Sequence, residues 1–230
     1  MGCDIHLAVE RRNELGQWER VLPPTEARDP WYVKQAAERP DSRYSKWAEV
    51  TWYADRNYEA FAILAGVRNR FDIEPIAEPR GLPADMSDAV RALDSEYGCE
   101  NDICLGDHSQ SWLTVEEILA CDADQAVTIS GFVTPPEFEK WRADGRPDGY
   151  CQGVGGGGVE IVTNEQMAKL IDSGDINPSG GVALRTSYYT KVEWQRSYRE
   201  AAGSFFSRVL PALVAIGPPD KTRIVFGFDS

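Results

Sequence analysis

The sequence predicts an α+β fold in which one sheet contains both terminal strands, with several short helices and one long C-terminal helix. Three observations carry this. Cys3, Ile5, Leu7 and Val9 alternate with Asp4, His6, Ala8 and Glu10, the period of a half-buried strand. Thr222 to Asp229 is an apolar run with little polar relief, suited to a central strand. Helix start signals lie between the two, so the terminal strands are expected to be neighbours in a single domain over residues 1–230.

After the first strand, Asn13-Glu14-Leu15-Gly16 turns the chain and Gln17 to Leu22 returns beside it as a hairpin. Pro23, Pro24, Pro30 and Pro40 then lie among charges and aromatics, which predicts a surface excursion; residues 23–52 read as an insertion or lid. Tyr58, Phe61, Ala62, Leu64, Ala65 and Arg68 recur at helical steps within Asp55–Arg68. Proline makes 74–83 irregular, Ser87 caps a short helix through Leu93, and Thr114 with Glu117 forms a capping box. His108 falls on the loop entering that helix. Ala126–Val133 reads as a strand and Glu137–Ala143 as a helix stopped by Gly145. The glycine run 153–158 leads into a strand at Val159–Val162, unlike a phosphate cradle, which leads into a helix. Thr163 and Gln166 cap a helix through Ile171, and Trp194, Tyr198, Ala201, Phe205, Val209 and Leu213 mark a long helix over Val192–Ile216.

Composition narrows the function classes. The chain has 230 residues, 42% of them hydrophobic, enough to bury a sizeable core. Thirty-seven acidic against 24 basic residues give a net charge of −13, which removes electrostatic support for binding nucleic-acid phosphates. The apolar stretch Leu210–Ile216 is far too short to span a bilayer, and no signal-peptide pattern opens the chain, so a soluble, unexported protein with no membrane partner is expected. Five cysteines, an odd number, read as reduced thiols. Cys99, Cys104 and His108 match no tight zinc spacing, and no metal is assigned.

The opening Met1-Gly2-Cys3-Asp4-Ile5-His6, Arg56-Asn57-Tyr58, Ala65-Gly66-Val67-Arg68-Asn69, Pro79-Arg80-Gly81-Leu82-Pro83, His108-Ser109-Gln110-Ser111-Trp112-Leu113-Thr114 and the final Arg223–Asp229 together resemble a family of uncharacterised tailed-bacteriophage proteins. The motifs cover nearly the whole chain in order. The resemblance implies a setting, a phage protein made in the host cytoplasm, and it transfers no activity or catalytic residue. Pro23–Trp52 is an insertion-like stretch that the shorter members of that family lack.

The residues able to carry chemistry are few. His6 shares a strand face with Asp4, the arrangement of a carboxylate-oriented imidazole, although a solvated hairpin face would look the same. His108 sits beside Ser109 and Ser111 ahead of a helix N-terminus. Asp4, His6 and His108 are therefore the candidate catalytic set, expected in one cleft. Asp-x-His opens a metallophosphoesterase site, but two histidines in all exclude a complete one. A two-histidine cyclic-phosphate hydrolase fits the number, yet Ala8 and Gln110 stand where that chemistry uses Ser or Thr. Arg56, Arg68 and Arg80 are candidate phosphate ligands together with Ser109, Ser111 and Trp112, while Trp52, Tyr53 and Tyr58 are further stacking candidates.

The reading is a phage accessory protein that binds a phosphate-bearing, nucleotide-like small molecule, such as a host defence signal. Hydrolysis by a phosphodiesterase-type step and simple sequestration as a sponge are both open, and no cofactor is specified. The alternative is an acidic, non-enzymatic inhibitor of a host protein, although its acids are spread along the chain instead of clustered.

Overall fold

The computed structural model describes residues 2–93, 104–176 and 186–229. In chain order its elements are β1 (Asp4–Arg12), β2 (Trp18–Val21), α1 (Pro30–Glu38), α2 (Arg43–Val50), α3 (Tyr58–Ala65), α4 (Asp88–Arg91), β3 (His108–Thr114) and α5 (Val115–Ala120). They continue with β4 (Ala126–Val133), α6 (Pro135–Asp144), β5 (Val159–Ile161), α7 (Asn164–Asp172), β6 (Ser187–Ser197), α8 (Tyr198–Ala201), α9 (Leu210–Ile216) and β7 (Thr222–Asp229). The described residues fall into two compact units, 1–125 with 198–230, and 126–197.

The first unit is built on a sheet of order β2-β1-β7-β3. The terminal strands are neighbours as the sequence predicts: β1 and β7 pair antiparallel from Asp4↔Asp229 to Arg11↔Thr222, and the opening hairpin forms through Val9↔Val21 to Arg12↔Trp18. Residues directly opposite each other share a face. Ile5, Leu7, Phe226 and Phe228 therefore look one way, where Phe61 of α3 meets Phe228 at a ring distance of 5.1 Å. Asn57 caps α3 by accepting the Ala60 N–H, and Gly66 ends it at φ +68°, a left-handed stop that suits glycine.

The opposite face carries Asp4, His6, Ala8 and Glu10, and it is not the solvated face that an alternating hairpin suggests. Ala8 and Val225 pack with Met86, Val90, Leu93 and Leu105. Glu10 is buried and accepts from Arg223 Nε at 2.8 Å and from the Ser87 N–H at 2.7 Å, while Arg223 reaches Asp85 at 2.9 Å and lies over the Trp18 ring. The segment Cys104–Asp107 crosses β7 on this side with no room to spare. A Cβ on Gly227 would lie 2.0 Å from the Leu105 carbonyl oxygen, and one on Gly106 would lie 2.5 Å from the Phe228 backbone. Only glycine permits that approach.

Three elements differ from the sequence reading. His108–Thr114 is a strand, β3, paired with β7 through a bulge between His108 and Ser111, and not a loop. The proline-rich excursion holds two helices: Asp29 caps α1, with Pro30 in its first turn, and Ser42 caps α2. The long C-terminal helix is divided. Val192–Ser197 completes β6, where Thr190, Val192 and Trp194 are buried in alternation, and helix resumes at Tyr198 and runs in short pieces to Ile216. Trp194 and Tyr198 are four apart and so fit a helical stripe, but the alternation before Tyr198 has period two, which pairing with β4 satisfies.

In the second unit β4 and β6 pair antiparallel, β5 joins β6 in parallel, and the glycine run enters β5 as a strand entry, with the Ser187 N–H donating to the Gly158 carbonyl. Tyr150 meets Trp194 edge-on at 4.8 Å, and Trp141 of α6 donates to the Glu193 carbonyl. Thr163 and Gln166 form the capping box of α7.

A buried ion pair that loses one partner leaves an uncompensated charge, at a cost of about 3–5 kcal/mol. Glu10→Ala is accordingly expected to lower the urea-unfolding free energy by about 3 kcal/mol or more. A loss below about 1 kcal/mol, the size of an exposed pair, would contradict the role given to Glu10 and Arg223.

Candidate functional site

A cleft of about 530 Å³ lies along the first residues of β1, lined by Asp4, Ile5, His6, Leu7, Trp31, Tyr32, Thr51 and 53–56. β2 pairs with β1 only from Val9 onward, so α1 and the 51–56 stretch flank the earlier part instead. Buried Asp29 holds that wall in place: its side chain accepts from the Trp31 and Ala54 N–H groups, and Arg208 reaches it while donating to the Ala27 and Trp52 carbonyls. Burial pushes the Asp29 carboxyl above the usual range, with Arg208 acting against that shift. The excursion 23–52 thus supplies one wall of the cleft through Trp31, Tyr32 and Thr51.

The other wall is charged. Asp4 accepts from Arg56 Nε at 2.7 Å and Nη2 at 2.6 Å, and this fork holds the guanidinium above its ordinary pKa. The Asp4 N–H donates to Asp229 Oδ1 at 3.1 Å, and Asp229 Oδ2 lies 3.0 Å from His6 Nε2. A carboxylate only accepts, so in the neutral ring Nε2 carries the hydrogen and Nδ1 presents a lone pair. Nδ1 lies 3.7 Å from Cys104 Sγ. Cys104 is disulfide-bonded, a departure from the reduced thiols expected, whereas Cys3, Cys121 and Cys151 are free. His6 is therefore an oriented imidazole, its side chain 22% exposed, on the rim of a partly enclosed cleft.

His108 is elsewhere. It pairs with Phe228, on the face opposite His6, stacks on that ring at 6.1 Å and contacts Ser109 Oγ through Nδ1 at 3.0 Å. With Arg68, Ser109, Gly66, Glu78 and Asp107 it lines a second, more open cleft of about 740 Å³. Of the two clefts described, Asp4 and His6 line the first and His108 the second; His6 registers with Gly227 and His108 with Phe228, and adjacent residues of a strand face opposite ways. Arg68 at φ +54° and Ser109 at φ +51° both hold left-handed backbone beside this second cleft, a conformation unfavourable by about 1 kcal/mol or more for a non-glycine residue.

The remaining candidates serve packing. Arg80 bridges to Glu117 at 2.7 Å and lies over Trp112, its backbone N–H donates to buried Ser111 Oγ, and Arg80, Ser111 and Trp112 line neither cleft. Trp52 is buried and donates to the Val21 carbonyl, and Tyr58 lies beneath Arg68 and Arg70. Tyr53 does line the first cleft, packed edge-on against Phe205. Among the described residues no group of three or more His, Cys, Asp or Glu is placed to hold a metal; Cys99 lies outside them. No helix among them is long and apolar enough to cross a membrane.

Sequence reasoning missed Trp31, Tyr32, Asp55 and Asp229. Asp29-Pro30 was the available signal for the first two, since a capping Asp followed by Pro marks a helix start and puts both rings in the first turn. Asp229 becomes visible only once the register of β1 with β7 is known. No protein-family model matches the chain, and neither a curated protein nor a solved structure matches it.

Glu117 provides a check on Arg80. Burial raises its carboxyl, but bonds from Arg80 and Thr114 outweigh burial and hold it below 4.5. A depressed folded-state pKa adds stability above the unfolded value, and that stability is lost as pH falls through the folded value. In Arg80→Ala the Glu117 midpoint, read by carboxyl NMR titration, is expected to rise toward 4.5, and the stability that Glu117 adds above that pH is expected to shrink, so the acid limb loses amplitude. An unmoved midpoint would contradict the pairing.

Proposed function

We propose that the protein binds a phosphate-bearing, nucleotide-like small molecule in the cleft formed by Asp4, His6, Trp31, Tyr32, Tyr53 and Arg56. The observation that carries this reading is the meeting, in one concavity of about 530 Å³, of an aromatic wall with a guanidinium and an oriented imidazole. That volume lies within the range of small-molecule sites. Trp31 is half exposed and offers a flat face for a heterocycle. Arg56 stands at the charged side, where a phosphate gains charge-assisted hydrogen bonds. Arg56 reaches such a ligand by exchanging part of its fork to Asp4, an exposed pair that contributes little to stability.

Binding is the part of the reading with most support. Acid–base hydrolysis by two histidines loses its geometric basis, since His6 and His108 line different clefts. His6 with Asp229 retains the form of a general base, so cleavage stays as a branch that product analysis decides. The resemblance to tailed-phage proteins supports a host nucleotide signal as the ligand and sequestration as the benefit.

The test is a thermal-shift screen of ADP-ribose and cyclic dinucleotides. A ligand that binds only the folded chain adds about 2.7 kcal/mol of stability at a hundredfold excess over Kd. Arg56→Ala is expected to weaken binding by about tenfold or more, the loss of one charged hydrogen bond, while Arg80→Ala leaves it unchanged. The proposal is overturned if no nucleotide shifts melting, or if Arg56→Ala binds as the wild type does.

A further inference from the structure

Tyr53, a buried residue lining the same cleft, carries a polar atom that the fold itself does not use. Tyr53 is 1% exposed, and among the described residues its hydroxyl is buried with no hydrogen-bond partner. Asp29 accepts from backbone N–H groups and Arg208, Asp55 accepts from Ser204, and Trp52 donates to Val21; among the described residues Arg28 Nε and Trp47 Nε1 are also buried without a partner, but of these unpaired groups Tyr53 alone belongs to a residue that lines the cleft. A buried hydroxyl left unpaired is a standing penalty, and native structures keep few of them. One that lines a ligand-sized cleft is poised to donate to whatever enters.

The surroundings decide what that is. Burial, then Asp55, and in lesser measure Asp29, push the Tyr53 phenol up, so it stays a neutral O–H donor at any physiological pH. Arg208 works the other way, but its guanidinium is engaged with Asp29 and the Ala27 and Trp52 carbonyls. An anion at the Tyr53 hydroxyl would meet the field of two carboxylates, whereas a neutral acceptor would not. The mouth differs: there Arg56 supplies positive charge and N–H donors beside the half-exposed Trp31.

We propose that Tyr53 Oη is a specificity-determining donor that receives a neutral acceptor, a carbonyl oxygen or ring nitrogen of a planar heterocycle, so that the nucleotide enters base first and leaves its phosphate at Arg56. This rests on the nucleotide reading of the cleft and adds the orientation of the ligand to it.

The experiment is calorimetric titration of the four common ribonucleosides and their 5′-monophosphates into the wild type, Tyr53→Phe and Arg56→Ala, with melting of each free protein. Tyr53→Phe removes one oxygen and nothing else. Its free form is expected to melt at or above the wild-type temperature, because an unpaired buried hydroxyl is gone. It is also expected to bind the preferred nucleoside and its monophosphate about tenfold more weakly, by the same factor for both. Arg56→Ala is expected to weaken the monophosphate alone. Equal binding of the nucleoside by Tyr53→Phe and wild type overturns the inference while leaving the nucleotide reading standing. A loss confined to the monophosphate in Tyr53→Phe overturns it as well, by placing the phosphate at Tyr53. If no nucleoside or monophosphate binds the wild type, the nucleotide reading fails and the inference falls with it.

Discussion

The pairing of β1 with β7 is the constraint on which the rest of the first unit depends. It joins the two ends of the described chain over a register from Asp4↔Asp229 to Arg11↔Thr222. It is fastened on one face by a buried ion pair between Glu10 and Arg223, and on the other by apolar side chains against α3. One residue of slip would put Glu10 and Arg223 on the apolar face, so burial on both sides fixes the register. The site inherits that register: Asp229 lies beside Asp4 and within reach of His6 only because the strands are aligned in this way. The glycines at 106 and 227 add the crossing of Cys104–Asp107 over β7, which brings Cys104 Sγ to 3.7 Å from His6 Nδ1.

Much of this frame is legible in the sequence because local rules and global packing agree there. The alternation in Cys3–Glu10, the apolar run at Thr222–Asp229 and the capping boxes at Thr114 and Thr163 each act over a few residues, and each forms where expected. The parts that were not legible depend on partners distant in the chain. His108-Ser109-Gln110-Ser111 has little intrinsic strand preference, and it becomes β3 because β7 offers an edge. The spacing of Trp194, Tyr198, Ala201 and Phe205 satisfies a helix, yet the residues before Tyr198 follow β4 into a sheet. Proline punctuation suggested an irregular excursion at 23–52, but Pro30 sits in the first turn of a helix, where its missing N–H is harmless.

The candidate site shows the same division. Asp4, His6 and Arg56 were recognisable as chemistry-bearing residues, and the fold brings them to one cleft. His108, Arg68 and Ser109 were equally recognisable, yet the pleat turns them to another. A period of two cannot be counted across the bulge between His108 and Ser111, so sequence alone had no means of assigning His108 a face. The aromatic wall at Trp31 and Tyr32 came from the stretch of chain that carried the fewest clear signals, and it is anchored by a salt bridge between Asp29 and Arg208, which are far apart in the chain.

That division gives the molecule its own internal control. The chain has two histidines, and each lines a different cleft. Two-dimensional ¹H–¹⁵N NMR of the imidazoles, recorded while a nucleotide is titrated in, therefore reports on both clefts in one sample. The His6 ring resonances are expected to move in a saturable manner, with the Nε2–H tautomer kept by Asp229, while those of His108 stay in place. Movement of His108 with His6 unchanged would contradict that expectation, as would saturating nucleotide that leaves both rings unmoved.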